Sequence, residues 1–152
     1  MSIYEKDLAT RRAYLAGLID GEGCMTVLRR YRRKRDKDYV LYSPTVVMGN
    51  TNRDAARFCL SMYPGGFIAR NQPSNPNAKV SWIYRSGPVA AREMARDLEP
   101  YLLLKREQAE LIVPFPRIYE RGSTNESRER DRRDQKYIYD RLRVLNQRGS
   151  IR

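Results

Sequence analysis

Histidine is absent from this sequence, and that one absence removes several chemistries. Ser-His-Asp and Cys-His schemes need an imidazole to take the nucleophile's proton, so neither is open to the chain. A hydrolytic mechanism with histidine as general base is excluded with them. Cysteine is scarce: Cys24 and Cys59 are the only two, and without histidine they cannot complete the four-ligand shell of a structural zinc site. Both are expected to be free, half-buried thiols. No run of about 18 apolar residues occurs, so no membrane-spanning helix and no membrane partner are expected. Met1 to Asp7 lacks the apolar core of a secretory signal, so the chain is expected to be intracellular, working in the cytoplasm or organelle that makes it. Any chemistry must come from carboxylates, Lys, Arg, Tyr or a bound metal.

Acidic residues are also in deficit. Asp and Glu total 18 against 30 Lys and Arg, a formal net charge of +12 on 152 residues. Such an excess implies a polyanionic partner, because Lys and Arg release the counterions condensed on nucleic acid. A ribosomal protein or a membrane-surface protein is the alternative that charge alone allows. With 41% hydrophobic residues the chain can bury a core, and its length suits one domain.

Periodicity supplies an element order. Leu8 to Asp20 reads as a helix, with small residues Ala13, Ala16 and Gly17 on a face that admits close approach of another backbone. Gly21 and Gly23 are expected to end it. Cys24 to Lys34 reads as a strand, Arg32 to Asp38 as a solvated turn or arm, and Tyr39 to Met48 as a second strand. Pro44 lacks an N–H and calls for an edge position or a bulge. Asn50 to Asn52 reads as the N-cap region of a helix reaching Tyr63, which Pro64-Gly65-Gly66 stops. Phe67 to Asn71 and Ala78 to Arg85 read as strands around the turn cluster Gln72 to Asn77, with Trp82 and Tyr84 as core residues. Helices follow from Pro88 to Leu98 and from Tyr101 to Val113, with Pro114 and Pro116 beyond. No internal repeat is visible. The order predicts an α+β core domain over residues 1–116 with a four-stranded antiparallel sheet. Residues 117–152 form a charged helical C-terminal extension, its helix within Ser127 to Leu145.

One segment carries chemistry. Leu15-Ala16-Gly17-Leu18-Ile19-Asp20-Gly21-Glu22-Gly23 ends a small-faced helix in two acids one glycine apart. A helix C-terminus is negative, so acids there are unfavourable unless a cation offsets them, and a hard divalent ion with oxygen ligands does so. On spacing alone, two polar residues in a glycine turn explain the pair as well. The whole string, however, resembles the signature of the LAGLIDADG homing endonucleases at Leu15 through Asp20 and at Gly23, with Gly21 and Glu22 replacing its final Ala and Asp. The resemblance implies that Glu22 is the catalytic, metal-binding acid, that the Gly21 carbonyl also touches the metal, and that Asp20 is a supporting helix-end residue. Leu98 to Ala109 resembles the segment bearing the family's active-site lysine, here Lys105. Asn50 stands where relatives carry an amide that positions water; it is equally a candidate helix cap.

From that resemblance follows an αββαββα fold whose saddle-shaped sheet enters the major groove. A single motif implies a homodimer, one site per DNA strand, with Ala13, Ala16, Gly17 and Asp20 at the interface. The cofactor is expected to be Mg²⁺, with Mn²⁺ or Ca²⁺ able to occupy the site, and no small-molecule cofactor is expected. The strand positions on the parity of Glu22 become the expected DNA contacts: Thr26, Leu28, Arg30, Arg32 and Lys34, then Leu41, Ser43 and Thr45, then Asn71, Gln72, Lys79, Ser81 and Arg85. The opposite parity would present Arg29 and Arg33. Between Arg29 and Lys37 seven basic residues stand against one acid, which favours DNA contact over a merely solvated tip. The expected activity is cleavage of both strands of a long pseudo-palindromic duplex, with an intron as the expected origin. A non-cleaving relative, an intron maturase or transcription regulator, is the alternative.

Overall fold

A computed structural model of the chain describes residues 1–116 and 124–148. A short 3-10 turn at Ile3–Glu5 leads into α1 (Leu8–Glu22), β1 (Gly23–Lys34), β2 (Lys37–Asn50), α2 (Arg53–Met62), β3 (Gly66–Asn71), β4 (Ser81–Ser86) and α3 (Pro88–Leu98). After a 3-10 turn at Glu99–Tyr101 come α4 (Arg106–Ile112) and α5 (Asn125–Arg148). The sheet is antiparallel in the order β1-β2-β4-β3. This is the expected α+β architecture. The 117–123 connection assigned to the extension, and residues 149–152, lie outside the described residues.

One face of the sheet is covered by helices. Met25, Val27, Val46, Met48 and Tyr84 point into a core closed by Leu15 and Ile19 of α1, Phe58 of α2, Met94 and Leu98 of α3 and Ile112 of α4. The Tyr84 hydroxyl donates to the Tyr63 carbonyl at 2.9 Å, which satisfies the one polar atom of a fully buried ring. Trp82 is half-buried under the Arg53 guanidinium. Asp97 on α3 ties the helices together, accepting from Arg12 at 2.9 Å and from the Tyr63 hydroxyl at 3.2 Å. The extension is not a loose tail: Ile138 and Leu142 of α5 belong to the same core, and the Asn146 amide donates to the Met25 carbonyl at 3.1 Å.

Several boundaries differ from expectation. β1 and β2 continue through the charged stretch to Lys34 and Lys37, joined by the two-residue turn Arg35-Asp36. Both turn residues have positive φ, 49° and 59°, which matches the twist of a tight hairpin. Cross-strand pairing, not burial, holds this ribbon. Pro44 lies in β2 beyond the end of β4, where that strand's edge is open. α2 is capped by Asn52, whose side chain accepts from the Asp54 amide at 2.9 Å, so Asn50 is not the cap. β4 begins at Ser81, leaving Lys79 in the preceding loop. The helix expected from Tyr101 begins only at Arg106, because residues 103–105 form an irregular bend whose amides bond to Asp20 at the end of α1.

Two tests follow from the packing. A Cβ at Gly66 would stand 2.6 Å from the Arg85 carbonyl oxygen, whereas at Gly17 it meets nothing within 4 Å. Gly66→Ala therefore lowers stability by about 1–3 kcal/mol in urea unfolding, while Gly17→Ala introduces no clash within one chain. Burial pushes the Cys59 thiol up to about 12, and burial raises the Tyr63 and Tyr84 hydroxyls as well. Each group keeps its proton longer in the folded chain than in the unfolded one. That stability is intact below about pH 9, the thiol's ordinary range, and declines as pH rises through about 12. Melting temperature measured between pH 7 and 11 should be flat at first and then fall.

Candidate nucleic-acid interface

The join between α1 and β1 places the acidic corner. Glu22 is the last residue of α1 and Gly23 the first of β1. A Cβ at Gly23 would lie 2.8 Å from both Cα and O of Ile19, so only glycine lets the strand leave the helix without a linker. The exposed Glu22 carboxylate accepts a hydrogen bond from Nδ2 of Asn50 at the end of β2. Asn50 Oδ1 accepts from the Asn52 amide at 2.7 Å, which fixes which end of the side-chain amide faces Glu22. Asn50 is thus joined to the acid and does not cap α2.

Lys105 arrives from the opposite direction. Asp20 Oδ2 accepts from the Leu103 amide at 2.7 Å and Oδ1 from the Lys105 amide at 3.0 Å. The Lys105 ammonium donates to the Asp20 carbonyl, one of the carbonyls that a helix C-terminus leaves without an intrahelical partner. Its charge also reaches Cys24: burial pushes that thiol up, and Lys105 offsets part of the rise. Glu22, Asn50, Gly21 and Lys105 therefore meet at one corner.

Two of the interface assignments need correction. The Asp20 carboxylate is taken up by the 103–105 loop of its own chain and does not form a free contact surface. Ala16 is fully buried in the chain's own core with Leu15 and Ile19, so another copy cannot reach it. The outward stripe of α1 is instead Ala13, Gly17 and Gly21, exposed and spaced by four.

Burial decides the parity of the sheet. Met25 and Val27 face the core, so Thr26, Leu28, Arg30, Arg32 and Lys34 occupy the open face. Cross-strand register sets Leu41 and Ser43 beside Arg30 and Leu28, and Asn71 and Ser81 beside one another at the far end. Arg85 shares this face through its partner Val47. Thr45 has the right parity but is only 2% exposed, and its hydroxyl donates to the Ser86 carbonyl at 2.9 Å; it is removed from the contact set. Gln72 and Lys79 are exposed in the β3–β4 connection, off the strands. Arg29, of the other parity, stacks over Tyr31 and over Tyr139 of α5, on the side that α5 covers. Lys37, Tyr39, Val47, Phe67 and Ile83 also lie on the open face by register and were missed. The adjacent apolar pair Phe67-Ile68 conceals which of the two points outward.

Oxygen donors at Glu22 and Gly21 suit a hard divalent cation. Among the described residues no cluster of three or more acidic or cysteine side chains could enclose a metal.

No family model and no curated protein matches the sequence. Solved structures do resemble the fold. The homing endonuclease I-CvuI, solved with its target in the presence of calcium, matches with TM-score 0.69 and 17% identity over 90% of this chain and 82% of its own. I-CeuI, a group I intron-encoded homing endonuclease complexed with DNA, matches at 0.63 and 12% over 87% and 65%. The archaeal intron-encoded I-Vdi141I, also complexed with DNA, matches at 0.58 and 13% over 92% and 99%. The chain therefore has the LAGLIDADG homing endonuclease fold, as its nine-residue string implied.

The Asp20 contacts can be tested without any assumption about activity. Asp20→Ala removes the acceptor of two amides, at about 1 kcal/mol for each bond at a partly exposed site. Exchange of the Leu103 and Lys105 amide protons should quicken by roughly tenfold in consequence. Unchanged exchange would mean that other contacts hold the loop.

Proposed function

We propose that this protein is a homodimeric, divalent-metal-dependent endonuclease that cleaves both strands of a specific duplex DNA site. The observation that carries the reading is the placement of Glu22. It stands at the C-terminus of the motif helix, held by Asn50, at the base of an open sheet face bearing Arg30, Arg32, Lys34 and Arg85. The DNA complexes of the three similar structures support a duplex as the partner.

Each residue of the corner has a task. Arg and Lys on the sheet face neutralise phosphates while side chains between them meet base edges in the major groove. Glu22 and the Gly21 carbonyl hold the cation, and Asn50 keeps the Glu22 carboxylate oriented. A divalent ion there supplies an activated water and offsets phosphate charge. Lys105, held at the end of α1, stabilises charge that builds on the phosphate. Asp20 sets where Lys105 sits and takes no part in dimer contact.

One chain has one such corner, and a duplex has two strands. Packing of the Ala13, Gly17 and Gly21 stripe against its copy about a two-fold axis brings two corners side by side, and a pseudo-palindromic target follows from that symmetry. The calcium in the I-CvuI crystals supports a divalent requirement. The work is done inside the cell or organelle, where the target duplex is. An intron is the proposed home of the gene.

The test uses a library of randomised duplexes with Mg²⁺, sequenced at the cut ends. One long near-palindromic site, cut by the parent and not in EDTA or by Glu22→Gln, is the expected result. Lys105→Met should retain binding and cut about 100- to 1,000-fold more slowly. Gly17→Arg, which meets open space within one chain, should leave the monomer folded by circular dichroism while abolishing dimer and cutting together. Tight binding to one site without cutting by the parent would show a maturase or regulator instead.

A further inference from the structure

Phe67 is 56% exposed at the start of β3, on the face opened to the proposed duplex. It pairs across the strands with Arg85, and the two line one depression with Leu28 and Arg30 of β1 and Ser43 of β2. Its sequence neighbour Ile68 packs against the core, so the fold needs one apolar residue of this pair inside and does not need the other outside. The exposed ring and Leu28 share this one depression with the side chains of Arg30 and Arg85.

Base edges in the major groove offer such a patch one counterpart. The 5-methyl of thymine is the apolar group displayed there, while guanine O6 and N7 accept from arginine. We infer that Phe67, with Leu28 across the depression, is a specificity-determining residue that reads a thymine methyl in each half-site, flanked by bases contacted by Arg30 and Arg85. The inference rests on the proposed duplex-binding function and names part of its sequence preference. Ser43, beside Leu28 in the same depression, adds a hydroxyl that suits any base edge and does not compete for the methyl.

Replacement of each thymine by deoxyuridine, one at a time, removes only that methyl. The probe is the duplex selected by the parent from the randomised library, with affinity read by fluorescence anisotropy without metal. One position in each half should weaken parent binding by roughly fourfold on loss of its methyl, the value of one buried methyl. Phe67→Ala should bind the thymine duplex more weakly and be indifferent to that replacement, with an unchanged melting temperature because the ring is exposed. Parent binding that ignores every uridine replacement overturns the inference while leaving the function intact. So does a variant that keeps the parent's sensitivity, which would make Phe67 a general wedge. A parent with no sequence-specific duplex binding overturns both.

Discussion

The absence of a side chain at position 23 sets the geometry on which the rest depends. With Gly23 lying against the Ile19 backbone, α1 passes directly into β1, and the last helical residue, Glu22, comes to stand at the base of the sheet. A longer join would let the acid swing away from both the helix end and the open face. The same junction orients the strand, so that alternation from Gly23 onward sends Met25 and Val27 inward and Arg30 and Arg32 outward. Placement of the acid and exposure of the basic ribbon thus come from one packing constraint.

Electrostatics then act on that frame. A carboxylate at the end of a helix dipole is disfavoured, and the chain answers with Asn50 on Glu22 and the Lys105 ammonium on the adjacent carbonyl. Asp20 completes the corner from below, with both oxygens accepting main-chain amides of the 103–105 loop. Replacing that loop by one more helical turn would carry Lys105 away from α1. Leu102 anchors the start of this segment in the core, while Leu103 and Leu104 remain 83% and 69% exposed, so beyond Leu102 the main-chain amides and not leucine burial tie the loop to α1.

The apolar rhythm in the sequence was enough to read the element order, the antiparallel sheet and the core role of Tyr84. The nine-residue string pointed to the acid corner, and Glu22, Asn50 and Lys105 do meet there. What stayed hidden depends on partners distant in the chain. Leu102-Leu103-Leu104 has the look of a helix start, and nothing local reveals that Asp20, more than eighty residues earlier, takes the Leu103 and Lys105 amides and keeps the segment out of the helix. Small residues at 13, 16 and 17 cannot say which side of α1 is already filled, so Ala16 was assigned outward although Leu15 and Ile19 share its burial. Thr45 has the correct parity, but β4 ends beside it and its Ser86 takes the hydroxyl. The charged hairpin arm was read as a turn because burial is the usual sign of a strand, and this ribbon relies on its cross-strand pairing.

In the proposed two-fold dimer one Glu22 serves each strand of the duplex. The direct measurement is the cleavage of supercoiled plasmid carrying the selected site by a purified heterodimer of the parent and a Glu22→Gln chain, each with its own affinity tag. Nicked circles without linear product are expected, since one corner is intact and the other is not. Linear DNA, or plasmid left uncut while the parent homodimer linearises it, would contradict the assignment of one acid to one strand.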